Sequence, residues 1–165
     1  MALREIRLEG DPILYKISRP VAKMTDRMRV LIDDMFDTMY DGEGVGLAAV
    51  QVGILRRLFI VDVTEEDEDP NPMVFINPEV VETSGEQTGS EGCLSVPGKV
   101  ANVTRPNFVR IKAFDRDMNE FVYETEGIPA RVILHEYDHL DGHLYPEIAE
   151  GPLMDIEDVE MEEDG

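Results

Sequence analysis

The segment HEYDH, at residues 135–139, contains two histidines four residues apart and a glutamate directly after the first of them. Residues i and i+4 lie on the same face of a helix, so His135 and His139 can bind one metal ion between them. Glu136 is rotated by about 100° around that helix and can approach the ion without binding it. The pattern is typical of metallohydrolases, in which two imidazoles bind the ion and the carboxylate takes a proton from metal-bound water.

A third ligand is needed, and its identity separates the classes of metallohydrolase. Metzincin proteases carry a third histidine at the position that Tyr145 occupies here, and His143 comes two residues too early. We therefore interpret His143 as a surface residue or a residue that supports the ligands. Thermolysin-like enzymes take a glutamate from a later helix. The available glutamates do not lie in a convincing amphipathic helix: Glu147, Glu150 and Glu157.

Cys93 is the remaining candidate for the third ligand. It is the only cysteine of the chain and lies within SEGCLSVPG at residues 90–98, so no intrachain disulfide can form. A lone cysteine is most often an inert packing residue, but its thiolate is also a strong ligand for soft or borderline divalent ions. A Cys-His-His set leaves one coordination position for water, as a catalytic site requires.

Two helices are predicted, and the second carries the histidine motif. This second helix covers residues 128–141, because Pro129 suits its first turn and Gly142 suits its C-terminal side. The first helix covers residues 25–40. Apolar residues recur along it at helical spacing and form a core-facing stripe: Met28, Leu31, Met35 and Met39.

Between the two helices, four short runs have the composition of β-strands and are separated by turn signals. They comprise residues 56–63, 73–83, 108–115 and 120–127, and the last two flank DRDMN as a predicted hairpin. A helix, several antiparallel strands and then a second helix make an α+β layout.

Length and charge indicate one domain that binds neither nucleic acid nor membrane. The 165 residues suit a single catalytic domain over residues 1–146, followed by an acidic C-terminal tail over residues 147–165. The formal net charge of −21 repels phosphate groups, so direct nucleic-acid binding and docking to anionic membranes are not expected. The sequence shows neither a signal peptide nor a bilayer-spanning stretch, and we expect a cytoplasmic location.

Three segments together resemble the peptide deformylases. GVGLAAVQ at residues 44–51 matches Gly-x-Gly-x-Ala-Ala-x-Gln, EGCLS at residues 91–95 matches Glu-Gly-Cys-x-Ser, and HEYDH matches His-Glu-x-x-His. Each motif alone is a weak or moderate signal, but the three in this order and at these separations are specific. The resemblance covers roughly residues 3–146.

The resemblance implies a fold and an activity. Antiparallel β-sheets would pack around a central C-terminal helix that carries the metal motif. The chain would be a hydrolase of protein biosynthesis that removes the formyl group from the N-terminal formyl-methionine of newly synthesised polypeptides and releases formate.

The resemblance also implies roles for individual residues. Metal-bound water would attack the formyl carbonyl with Glu136 as general acid and base, and Gln51 and the backbone N–H of Leu94 would stabilise the oxyanion. The implied metal ligands are Cys93, His135 and His139. The resemblance favours Fe(II) as the ion, although one cysteine and two histidines also suit Zn(II), Ni(II) or Co(II).

The substrate's methionine side chain needs an apolar pocket, for which Val45, Ile128 and Val132 are the candidates. Gly46 permits a close approach of the backbone, so an extended peptide can pair with the main chain there as an added strand. Behind the metal helix, Asp138 and Arg105 are predicted to form a structural ion pair.

Two alternatives to the deformylase hypothesis stay open at this point. A zincin-like metallopeptidase would cut internal peptide bonds and tolerate the loss of Cys93. A metal-bearing binding module without activity would be expected to have Glu136 or Gln51 replaced, and both are present.

The expected partners are N-formyl-methionyl nascent peptides. In some bacterial relatives a basic C-terminal helix is implicated in docking at the ribosome, whereas residues 147–165 are acidic here. We therefore do not expect this tail to dock at the ribosome.

Overall fold

The computed structural model describes residues 2–64 and 68–157. Within them lie two α-helices and eight β-strands, joined by loops and short 3₁₀ turns. The helices are α1 (Asp26–Asp41) and α2 (Ile128–Leu140). The strands are β1 (Gly46–Ala48), β2 (Leu58–Val61), β3 (Met73–Ser84), β4 (Gln87–Cys93), β5 (Val96–Arg105), β6 (Phe108–Phe114), β7 (Glu120–Glu126) and β8 (Ala149–Asp155).

The strands of the described residues form two antiparallel sheets. One has five strands in the order β1-β2-β3-β6-β7, and the other has three in the order β4-β5-β8. Strand β1 is therefore an edge of the first sheet and β4 an edge of the second. The predicted hairpin is present as β6 and β7, with Ile111 opposite Tyr123.

Helix α1 forms where the sequence predicts it, and its methionine stripe faces the core. The side chain of Thr25 accepts a hydrogen bond from the backbone N–H of Met28 at 3.2 Å and so caps the helix. Met35 and Met39 are fully buried and pack in one cluster with Leu47 of β1. Burying a side chain of this size contributes about 1.5–3 kcal/mol, so the stripe fixes α1 against β1, which lies within the GVGLAAVQ motif.

Helix α2 packs against both sheets. Ile133 and Leu134 belong to one apolar core that also includes Phe75 of β3 and Val103 of β5. The helix ends just before Gly142, whose φ of +81° favours glycine, and a Cβ there would lie 2.5 Å from the backbone oxygen of Tyr15. The prediction of an α+β fold with antiparallel sheets around a C-terminal helix is confirmed.

The second sheet was not predicted. Its strand β4 is rich in glycine and polar residues, and β5 contains Pro97 and Gly98 near its start, so neither shows the apolar alternation of a typical strand along its whole length. The third strand, β8, uses residues that the sequence analysis treated as part of an acidic tail. Residues 158–165 of that tail lie outside the described residues, and the domain boundary at residue 146 stays a prediction.

Strand β8 accommodates its acidic side chains because it is an edge strand with polar partners on β5. Asp155 forms an ion pair with Lys99, and Glu150 accepts a hydrogen bond from the hydroxyl of Thr104. The first part of the acidic tail is therefore ordered by its pairing with β5 rather than by its own composition.

Among residues 2–64 and 68–157, neither helix is long and apolar enough to cross a membrane.

Candidate active site

The three candidate metal ligands come together where β4 meets α2. Cys93 is the last residue of β4, and His135 and His139 lie one turn apart on α2. One ligand atom from each lies within 4.8 Å of the others. The Sγ of Cys93 is 3.5 Å from the Nε2 of His139. Two ligands of one tetrahedral ion, with a sulfur at about 2.3 Å and a nitrogen at about 2.0 Å, would stand about 3.5 Å apart. The three side chains therefore fit a divalent cation.

Electrostatics at the two histidines also suit a cation. Burial lowers the pKa of His139 well below its ordinary value, which keeps its ring neutral with a lone pair for a metal. Burial also lowers the pKa of His135, but hydrogen bonds with Cys93 and Glu91 outweigh it and raise the pKa to about 10. The surroundings of His135 thus stabilise a positive charge, as a bound cation requires.

Glu91 orients His135 from behind. The Nδ1 of His135 lies 2.8 Å from Glu91 Oε1, so with Nδ1–H as donor the lone pair of Nε2 points to the side of Cys93. Two arginines share the same carboxylate: Arg105 donates to it at 2.5 and 3.0 Å, and Arg131 at 2.7 Å. Burial raises the pKa of Glu91, but the hydrogen bonds from His135 and Arg105 outweigh it and lower the pKa to about 2.

Arg105 continues this network to Asp138, 2.9 Å away. The structural ion pair that the sequence analysis expected behind the metal helix is present. It ties β5 to the outer face of α2, so the helix that carries both histidines is held by charge as well as by apolar packing.

Glu136 lies beside the ligands rather than among them. Its Oε2 is 4.0 Å from the Nε2 of His135, and its Oε1 is buried without a hydrogen-bond partner among the described residues. Burial raises the pKa of Glu136 to about 7. A carboxyl group with a pKa near neutrality can both accept and release a proton, as general acid–base catalysis requires.

Gln51 is oriented toward the ligands by a contact on its other side. Its Oε1 accepts a hydrogen bond from the backbone N–H of Ala48 at 2.9 Å, which fixes the orientation of the amide. Its Nε2 then donates to Ser95 Oγ at 3.0 Å and to Cys93 Sγ at 3.4 Å. Leu94, whose backbone N–H was also predicted to act, follows Cys93 directly and lines the same cavity.

A cavity of about 810 Å³ opens in front of these residues. It is lined by all four predicted substrate-binding residues, namely Val45, Gly46, Ile128 and Val132, and also by Gln51, Cys93, His135 and Glu136. His139 is fully buried, and His143 is an exposed residue outside the cavity lining that pairs with Glu147. The site therefore combines a candidate cation site, a carboxyl group that can exchange a proton near neutral pH and a cavity large enough for an extended peptide.

Sequence reasoning did not identify Gly89 and Arg131, which also line the cavity. One signal was available for Arg131. It is the only charged residue in the apolar stretch IPARVIL, and it precedes His135 by four residues, which places it on the same face of α2. No signal was available for Gly89, because β4 was not predicted as a strand.

Comparisons with known proteins agree on one family. The family model described as polypeptide deformylase matches residues 3–151. A peptide deformylase of Agathobacter rectalis is 57% identical over 156 residues, which cover 94% of this chain and 96% of that protein. A peptide deformylase of Lachnoclostridium phytofermentans is 52% identical, with 99% of each chain covered. The crystal structure of a peptide deformylase from Legionella pneumophila has a TM-score of 0.85 and 42% identity, covering 90% of this chain and 87% of that one.

Proposed function

The chain belongs to the polypeptide deformylase family, metal-dependent hydrolases that remove the N-terminal formyl group from new polypeptides, and we propose how its residues divide that reaction. Cys93, His135 and His139 hold the ion, and Glu136 carries the proton. The observation that carries the proposal is the convergence of the three ligand atoms within 4.8 Å beside the buried carboxylate of Glu136.

Hydrolysis of a formamide needs an activated water and a proton for the departing amine. A divalent ion, when bound, supplies a Lewis acid that polarises the formyl carbonyl and acidifies water. Glu136 accepts a proton from the attacking water on its carboxylate and delivers it to the amine nitrogen as the carbon–nitrogen bond breaks. A pKa of about 7 suits both transfers, since neither protonation state is strongly disfavoured near neutral pH.

The tetrahedral oxyanion needs donors that are in place before the reaction. We assign this role to the Nε2 of Gln51 and to the backbone N–H of Leu94. Gln51 is neutral and held by Ala48 and Ser95, so little reorganisation is required. Loss of one such donor typically raises the barrier by about 2.7–4 kcal/mol.

The substrate peptide lies between the two sheets. Strands β1 and β4 are edge strands that both border the cavity, so an extended peptide can add to them through main-chain hydrogen bonds. Gly46 brings the backbone of β1 close to the site. The methionine side chain enters the apolar part of the cavity formed by Val45, Ile128 and Val132.

We propose Fe(II) as the ion in cells and the cytoplasm as the location, where nascent N-formyl-methionyl peptides are available. One thiolate and two imidazoles also suit Zn(II), Ni(II) and Co(II), and supply decides among ions of similar affinity. The zincin-like peptidase alternative is not favoured, because the third residue of the candidate metal cluster is Cys93 rather than a glutamate and the family match is to deformylases.

Formate release from formyl-Met-Ala-Ser tests the proposal. The protein is purified without oxygen and reconstituted with Fe(II), Ni(II) or Zn(II), and the rates rank the ions. Glu136→Ala is the matched control, since it removes the proton carrier and leaves the three ligands in place. Release that depends on Glu136 supports the roles assigned here. A protein that binds the ion but releases no formate with any of the three would contradict them.

A further inference from the structure

A guanidinium group forms part of the cavity in which we place the methionine side chain. Arg131 lines this cavity together with Ile128 and Val132 of the same helix, α2. It precedes His135 by one helical turn, which corresponds to about 6 Å along the helix axis. Arg131 is only 6% exposed, so its guanidinium is largely removed from water and held by protein groups.

The guanidinium is fixed by hydrogen bonds that leave some of its donors unused. Its Nη1 donates to Glu91 at 2.7 Å, to the backbone oxygen of Val103 at 2.9 Å and to that of Gly89 at 3.4 Å. Its Nη2 donates to the backbone oxygen of Gln87 at 3.3 Å. A guanidinium has five N–H groups, so the second N–H of Nη2 and the Nε–H have no acceptor among the described residues.

Gly89 leaves room for this guanidinium. Successive residues of a strand point to opposite faces, so Gly89 points to the same side of β4 as Glu91. A Cβ at Gly89 would lie 3.2 Å from Arg131 Nη2, closer than most real Cβ contacts. No side chain at residue 89 therefore separates Arg131 from the cavity, and the cavity wall at this point carries the N–H donors of Arg131.

We propose that Arg131 determines side-chain specificity by presenting these donors to the end of the substrate's first side chain, and that peptides beginning with formyl-methionine sulfoxide are therefore also substrates. The inference rests on the proposed function. A thioether sulfur is a weak acceptor, whereas a sulfoxide oxygen is a strong one that an apolar pocket would reject. The sulfoxide itself is unchanged: water adds to the formyl carbon, the carbon–nitrogen bond breaks, and formate and the free amine are released.

Three peptides test the proposal: formyl-norleucyl, formyl-methionyl and formyl-methionine-sulfoxide forms of Xaa-Ala-Ser. Their first side chains are similar in length, but norleucine offers no hydrogen-bond acceptor, methionine a weak one and methionine sulfoxide a strong one. We expect the kcat/KM of the wild-type protein for the sulfoxide to lie within about ten-fold of that for methionine, given the strength of hydrogen bonds to charged donors. In Arg131→Met, the ratio of sulfoxide to norleucine kcat/KM should fall by about ten- to hundred-fold.

Arg105→Met is the matched control. Arg105 donates to the same carboxylate of Glu91 but does not line the cavity, so its loss disturbs the network behind His135 without touching the pocket. It should lower the kcat/KM of all three peptides alike and leave their ratio unchanged. Arg131→Lys provides a second variant that keeps a cationic donor, and its sulfoxide-to-norleucine ratio of kcat/KM should lie between those of the wild type and Arg131→Met.

The outcomes separate this proposal from the one on which it rests. Equal sulfoxide-to-norleucine ratios in the wild type and Arg131→Met would overturn it while the deformylase activity stands. A wild-type kcat/KM for the sulfoxide more than about ten-fold below that for methionine would overturn it even if no variant folds. Absence of formate from all three peptides would reject the proposed function itself, and this inference with it.

Discussion

Glu136 Oε2 lies 2.6 Å from the point where a Cβ on Gly46 would stand. Real Cβ atoms essentially never approach another heavy atom this closely. Gly46 belongs to the extended strand β1, and its φ lies outside the left-handed region, so backbone conformation does not require glycine here. The close approach requires it, because the backbone of β1, where we propose that the peptide pairs, lies directly against the carboxylate that we propose as the proton carrier.

We predict that Gly46→Ala lowers kcat for formate release by at least about a hundred-fold, since a displacement of about 1 Å at a catalytic group costs that much. Metal content should not change, because Gly46 is not a ligand. Gly44→Ala is the control: its Cβ would approach the flexible end of the Leu94 side chain at 2.9 Å, and that end can move. Wild-type kcat in Gly46→Ala, measured with the metal-loaded protein, would show that the carboxylate does not need this position.

Two variants should distinguish the proposed metal ligand Cys93 from the proposed proton carrier Glu136. Cys93→Ala removes one of the three ligand atoms that lie within 4.8 Å of one another, so metal and activity should be lost together. Glu136→Ala leaves those atoms in place and should keep the metal while lowering kcat by about 10²–10⁴-fold. Metal content and formate release are measured on the same preparations. Full activity in Cys93→Ala would reject Cys93 as a ligand.

The sequence predicted both helices and four of the five strands of the first sheet, all but the short β1, because their residues follow simple patterns. Met35 and Met39 recur at helical spacing, and their burial confirms the side of α1 that faces the core. Strands β4, β5 and β8 follow no such pattern. Gly89 and Glu91 of β4 line the cavity beside Arg131, so that strand has no apolar stripe to detect.

The site residues also divide into those that local motifs indicate and those that depend on contacts between distant segments. Three short motifs nominate Cys93, Gln51 and the histidines of α2 as site residues, because the spacing within each motif is local. The partnership of Arg131 with Glu91 joins residues 40 positions apart in the sequence. Such a contact depends on how β4 packs against α2, and no local pattern of either segment specifies it.

Replacement of Glu91 should destabilise the fold. Glu91 is 6% exposed and receives hydrogen bonds from two buried arginines, Arg105 and Arg131. Glu91→Gln would leave the buried Arg131 without an anion and Arg105 with Asp138 alone. Removing one partner of a buried pair typically lowers the free energy of unfolding by about 3–5 kcal/mol.

Urea denaturation of the metal-free protein measures this effect. Glu82→Gln serves as the control, because it breaks a pair with the exposed Arg110 on the surface of the first sheet. That control should unfold at nearly the wild-type urea concentration, since exposed pairs contribute little. If Glu91→Gln unfolds at the same concentration as Glu82→Gln, the buried network does not stabilise the fold.

The C-terminal segment should not bring the chain to the ribosome. Residues 147–164 contain nine carboxylates and no lysine or arginine. Binding to a phosphate backbone depends on cationic side chains that displace counterions, so this segment makes no favourable electrostatic contribution to binding RNA.

We predict no co-sedimentation with ribosomes between about 50 and 200 mM salt, for the full chain or for a chain that ends at residue 157. The truncation keeps β8 and its pairing with β5, so a difference between the two chains reports on residues 158–165 alone. Co-sedimentation that weakens with salt and disappears in the shorter chain would mean that the acidic residues bind a basic ribosomal protein instead of RNA.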